Sequence, residues 1–295
     1  MGESSEESSS ILRAVQRGDH VYLADEKVFI YDLIADRYED LILFKSFFYF
    51  NHYREIARFL YEHVLKVLRE DSVIADIGCG TGFWSLLFKR LGYKVVGLDL
   101  SKKSVEISFS RGVDSVVGEA SHVGFRRESF DLVVALASVI NHMKNPKNFF
   151  RDVYYILKPG GYLVFDFDSA WALDNLYEAI IYRNNSREIL TSILKLKILE
   201  RGFDIEWNFG GIEIRVFTPI EIIRYLKIYD MELLRIEPIH ILPGIVPVRI
   251  LERVSSKSLK RVITAMYKID YFIKKILSIP IPLAVSYIVL AKKRY

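Results

Sequence analysis

The chain has 295 residues, 51% of them apolar, with 41 Lys and Arg against 37 Asp and Glu for a net charge of +4. That apolar share supplies a large core and excludes a globally disordered chain, and the length suits one α/β domain with appendages. The single cysteine, Cys79, excludes an internal disulfide and a multi-cysteine metal site, and fits a reducing, cytoplasmic setting.

Residues 1–10 are acidic and serine-rich, the opposite of a basic leader with an apolar stretch, and read as a solvated tail. Residues 11–50 read as an N-terminal helical cap, with two short helices between Glu26 and Phe50. Gln occurs once, at Gln16, a scarcity that resembles thermophile proteins. From His52 to Arg69 the apolar positions Ile56, Phe59, Leu60, Val64, Val67 and Leu68 repeat every 3.6 residues, which predicts an amphipathic helix.

An alternation of strands and helices follows. Strands are expected at Ser72–Ile77, Lys94–Leu100, Val113–Glu119, Phe130–Leu136 and Tyr162–Phe167. Helices are expected at Phe83–Leu91, at Lys102–Arg111, and from Asn145-Pro146 to a stop at Lys158-Pro159-Gly160-Gly161. Short apolar strands separated by helices predict a doubly wound α/β fold around a mostly parallel sheet, with residues 51–169 as its core.

The simple alternation ends there. Residues 170–217 read as an insertion, helical from Ala170 to Arg201. Phe203, Ile205, Trp207 and Phe209 then alternate up to Gly210-Gly211, followed by Ile212, Ile214 and Val216, a hairpin signal. Residues 218–295 are expected to complete the sheet: a helix capped by Thr218-Pro219, a strand at Met231–Glu237, a helix over 256–277 and a closing strand at Val285–Ala291. Residues 249–295 hold eleven Lys or Arg against two acids, which leaves residues 1–248 at a net −5.

The strongest signal is Asp76-Ile77-Gly78-Cys79-Gly80-Thr81-Gly82 at the end of the first strand, with Asp99 ending the second. Open α/β sheets bind ligands at the carboxyl ends of their strands, and glycines there let the backbone approach a ligand closely. A carboxylate ending the second strand can accept hydrogen bonds from both hydroxyls of a ribose. The pattern departs from the dinucleotide fingerprint, because its third glycine arrives one residue early. Gly118-Glu119-Ala120, Phe130-Asp131-Leu132-Val133 and Leu157-Lys158-Pro159-Gly160-Gly161 follow in order.

Together these segments resemble the class I S-adenosylmethionine-dependent methyltransferases, over roughly Ile56 to Ser169, and in particular the small-molecule branch with quinone- and sterol-methylating enzymes. The resemblance implies a Rossmann-like fold with a seven-stranded sheet and S-adenosyl-L-methionine as methyl donor. Asp76 would face the amino end of its methionine moiety, with Gly78, Cys79, Gly80 and Gly82 in the turn along it. Asp99 would hold the ribose and Leu100 the adenine face. Glu119, where the family usually has Asp, and Ala120 would approach the adenine edge, and Ala137 and Ser138 the sulfonium. Tyr31 and Tyr38 match a segment that folds over the donor in relatives.

His142 is the candidate catalytic base, the alternative being a packing histidine. The aromatic insertion suggests a hydrophobic or aromatic small-molecule acceptor, quinone- or lipid-like, unless it is ordinary packing. A tRNA or protein methyltransferase and a non-catalytic donor-binding protein are the competing functions. The basic helix 256–277 suits either a peripheral membrane contact or packing on the body. No metal spacing and no nucleic-acid recognition motif is present.

Overall fold

A computed structural model describes residues 31–40, 46–143, 145–181, 187, 189–191, 200–207, 212–276 and 284–294. The expected tail over 1–10 and the Gly210-Gly211 turn lie outside them.

Residues 31–40 are helical. Helix α1 (Phe47–Phe59) starts earlier than its periodicity predicts, because Ser46 caps it by accepting a hydrogen bond from Tyr49 N–H; it runs into a π turn at Leu60–Val64. Then come β1 (Val73–Ile77), α2 (Phe83–Arg90), β2 (Lys94–Asp99), α3 (Lys102–Ser110), β3 (Asp114–Val117) and β4 (Phe130–Ala135). A 3₁₀ turn at Val139–His142 precedes α4 (Pro146–Ile156), which Asn145 caps, and β5 (Leu157–Asp168).

Strand β5 begins five residues before its expected start. Lys158-Pro159-Gly160-Gly161 does not close the helix but forms an irregular opening to the strand: Leu157 already pairs with Phe130, and a register shift precedes the Leu132–Tyr162 pair. Gly160 takes φ +75° there.

The C-terminal part comprises α5 (Leu173–Ile180), the antiparallel hairpin β6 (Phe203–Trp207) and β7 (Ile212–Val216), α6 (Pro219–Ile228), β8 (Met231–Ile239), a short α7 (Val248–Glu252) absent from the sequence reading, α8 (Lys257–Ile276) and β9 (Ser286–Lys293). The main sheet has seven strands in the order β3-β2-β1-β4-β5-β9-β8. Pairs from β3 through β5 are parallel, and β9 runs antiparallel between β5 and β8. The fold is the expected Rossmann-like, mostly parallel sheet.

Both faces of the sheet are covered, which is why its central strands are apolar along their whole length. One face carries Phe149, Phe150 and Val153 of α4 with Ile222 and Leu226 of α6. The other carries Ile56 and Phe59 of α1 with Trp84 and Phe88 of α2. The order reverses at β1, which lies between β2 and β4, so a crevice opens at the carboxyl ends of these strands.

Candidate functional site

The loop from Gly78 to Gly82 leaves β1 at that crevice. Its first N–H groups are spent on Leu98: Gly78 N–H and Cys79 N–H donate to the Leu98 carbonyl at 2.7 and 3.1 Å. A Cβ on Gly78 (φ +73°) would sit 2.5 Å from a Val139 methyl, so only glycine fits under the loop after β4. Gly80 (φ +53°) differs: nothing lies within 4 Å of where its Cβ would be. The loop there is bare backbone facing open space, a cradle of the kind that admits a ligand's chain.

Asp99 closes the cradle from β2. Gly80 N–H donates to its Oδ2 at 2.8 Å and Ser101 N–H to its Oδ1 at 2.9 Å. Each carboxylate oxygen is thereby fixed in direction and retains lone pairs for a further donor, the arrangement that two vicinal hydroxyls require. Burial raises its pKa, opposed by those two N–H bonds. Leu100, 46% exposed, offers an apolar surface just beyond it.

Segment 31–40 is tied across this opening at two points. Asp32 accepts hydrogen bonds from Ser101 Oγ and from Lys103 N–H at the start of α3, and Glu39 accepts one from Thr81 Oγ1 (2.7 Å) within the glycine loop and pairs with Arg111. These contacts set Tyr31 near both Asp99 and Asp168, whose negative charges add to burial in raising its pKa. The Tyr31 and Tyr38 rings are 6.4 Å apart.

At the end of β4, Ala137 and Ser138 both adopt left-handed backbone (φ +67° and +61°), a strained conformation for residues with a Cβ. The turn swings Ser138 toward β5: its N–H donates to Asp166 Oδ2 (3.1 Å) and its Oγ to Asp168 Oδ1 (3.0 Å). Asn141 brackets the same strand end, accepting from Asp168 N–H at 3.0 Å and donating to the Arg215 carbonyl at 2.6 Å. His142 Nε2 lies 3.3 Å from the Tyr31 hydroxyl, the rings meeting edge to face.

Two acids of β5 complete the site, and the sequence reading missed both. Asp166 is fully buried; its Oδ2 is 3.0 Å from His52 Nε2, and His52 Nδ1 is 3.3 Å from His240 Nε2. His240, fully buried at φ +58°, is held neutral by desolvation, with His52, Lys274 and Arg54 adding to the effect. Asp168 stands two residues nearer the open end. Its carboxyl is pushed up to about 6 by burial, countered by the nearby His52 and abetted by Asp166. The pattern Phe165-Asp166-Phe167-Asp168, two acids at period two on one face of an otherwise apolar strand, was the available signal.

Of the expected site residues, Gly78, Gly80, Asp99, Leu100, Tyr31, Tyr38, Ala137, Ser138 and His142 lie around one crevice, whereas a Cβ on Gly82 (φ +87°) would meet Ser108 Oγ at 2.7 Å, so that glycine packs against α3. The side chains of Asp76 and Cys79 point elsewhere. Asp76 is 1% exposed and accepts from Ser85 Oγ beneath the loop; burial pushes its carboxyl up to about 7. Cys79 is buried with its sulfur toward Gly97, its thiol pKa raised by desolvation. Glu119 is exposed and accepts from Ser121 Oγ, with His122 3.6 Å away; Ala120, half-buried, packs against the core. Among the described residues no group of three His, Cys, Asp or Glu side chains is placed to hold a metal ion.

Residues 75–165, from β1 through most of β5, match the family model described as a methyltransferase domain. Over these residues the chain carries a methyltransferase domain. A ubiquinone biosynthesis O-methyltransferase of Caulobacter vibrioides is 29% identical over 117 residues, 36% of this chain and 44% of that one. A probable tRNA methyltransferase 9B of Homo sapiens is 32% identical over 113 residues, 37% of this chain and 24% of that one. A solved S-adenosylmethionine-dependent methyltransferase of Methanosarcina mazei superposes with a TM-score of 0.52 at 18% identity, covering 78% of this chain and 96% of that one, a likeness of fold. The chain spans about half the length of the curated relatives it matches, 61%, 50% and 53% in three of them. In the methyltransferase domain the bare cradle at Gly80 and the oriented carboxylate of Asp99 fit S-adenosylmethionine.

Proposed function

We propose that this chain transfers a methyl group from S-adenosylmethionine to a small acceptor with an apolar or aromatic body. The observation that carries the reading is the open space over Gly80 beside a ribose-oriented Asp99 at the reversal point of the sheet. Bound there, the donor supplies an electrophilic methyl group on a sulfonium. The chain's own contribution is alignment: in-line displacement depends on holding the acceptor atom on the donor's axis.

The acceptor side is bounded by Tyr31, His142, Ser138 and Asp168. Two of these can take a proton from an acceptor hydroxyl or amine. Asp168, with its carboxyl near 6 and its Oδ1 anchored by Ser138, is ionised at neutral pH and weakly basic. His142, oriented by Tyr31, is the other. The ubiquinone relative's name accords with such an acceptor.

The test is transfer of labelled methyl from the donor to lipid-extractable, small polar and RNA fractions of a cell extract. Label in an organic-extractable product supports the reading. Label confined to RNA overturns the acceptor class. Loss of the acid limb of the pH–rate profile in Asp168→Asn, with the limb kept in His142→Gln, assigns the base to Asp168; the reverse assigns it to His142.

A further inference from the structure

Helix α8 presents two apolar stripes, and among the described residues only one packs into a core. Ile263 and Tyr267 pack into a core with Phe48, Leu251 and Val254, while Asp270 caps the backbone N–H groups of Ile241 and Leu242 and Lys274 pairs with Glu55 at 2.7 Å. That face anchors the helix to the body. A second stripe, Leu259, Val262, Ile269 and Phe272, follows the same helical spacing on another side and is 38%, 58%, 50% and 63% exposed. Isolated exposed apolar residues are ordinary, but four aligned over more than three turns are not.

The charge beside this stripe selects its partner. Lys257, Arg261, Lys268 and Lys275 are exposed along its flank, and the helix's one acid, Asp270, is buried on the anchoring face. An exposed apolar stripe bordered by a row of cations without exposed acids matches the interface of an anionic bilayer: the stripe enters the acyl boundary and the cations meet the headgroup phosphates. No helix among the described residues is long and apolar enough to cross a membrane, so the contact is peripheral. We propose that the outer face of α8 docks the protein on an anionic phospholipid surface. The inference stands apart from methyl transfer, since it rests on α8 alone.

The test is flotation of the full chain with vesicles of phosphatidylcholine alone and of phosphatidylcholine with phosphatidylglycerol, without donor or acceptor. Thermal unfolding serves as the folding control for the double variants Ile269→Ser with Phe272→Ser and Lys268→Glu with Lys275→Glu. The expected result is binding to the anionic vesicles that each double variant weakens about tenfold or more. Absence of binding, or binding that neither variant changes, overturns the proposal. So does a dimer of the wild-type chain in light scattering that the apolar variant dissolves, because the stripe would then belong to a second copy. Binding of RNA lost only in the charge variant, with no vesicle binding, overturns it as well.

Discussion

The substitution Gly80→Ala separates the donor cradle from the fold that builds it. Nothing lies within 4 Å of the added methyl, so the change creates no clash. It does force a Cβ onto backbone at φ +53°, which costs about 1–2 kcal/mol. For a chain of this size that lowers Tm by roughly 2–4 °C per kcal/mol. The methyl group itself projects into the space assigned to the donor, and a steric intrusion on a closely apposed ligand should weaken binding by about tenfold or more, or about 1.4 kcal/mol. Gly78→Ala is the contrasting variant: its Cβ meets Val139 at 2.5 Å, so its main effect falls on folding. Calorimetric titration with S-adenosylmethionine alongside thermal unfolding reads both quantities. A Gly80→Ala protein that melts slightly early yet binds the donor as the wild type does would refute the placement of the donor over Gly80.

Further outcomes follow from buried groups. Asp76 has a carboxyl raised from about 3.9 in an unfolded chain to about 7 in the fold, so the folded state binds the extra proton. Its stabilising contribution is therefore present at acid pH and lost as pH rises from about 4 to 7; unfolding of Asp76→Asn from pH 5 to 8 should show a flatter pH dependence than wild type. Lys274→Met leaves Glu55 buried with Arg58 (3.2 Å) and the more exposed Arg54 (3.7 Å) as its remaining partners and should destabilise by about 3 kcal/mol, near the lower end for a broken buried pair, as read by denaturant unfolding. Thr218→Ala removes the acceptor for Glu221 N–H at the start of α6 and should cost about 1 kcal/mol in the same assay.

The parts legible in the sequence were those set by local chemistry. The alternation of apolar strands and helices gave the sheet, the clustered glycines marked the turn after β1, and Thr218-Pro219 and Asn145-Pro146 marked helix starts that the structure places there. Long-range relations were not legible. The acids of β5 acquire their setting only when α1 brings His52 and the end of β8 brings His240, residues separated by 188 positions. The start of β5 was missed because Pro159-Gly160-Gly161 resembles a helix stop, while pairing with Phe130 recruits it into the sheet. The direction of the Asp76 side chain depended likewise on Ser85, in the first turn of the following helix.

The central claim, a donor site formed by the glycine loop and Asp99, is tested most directly by titrating the purified chain with S-adenosylmethionine and repeating the titration on Asp99→Ala. The account predicts saturable binding by the wild-type chain, weakened at least about tenfold in a variant that remains folded. No binding by well-folded wild-type protein, or equal affinity in Asp99→Ala, would contradict it.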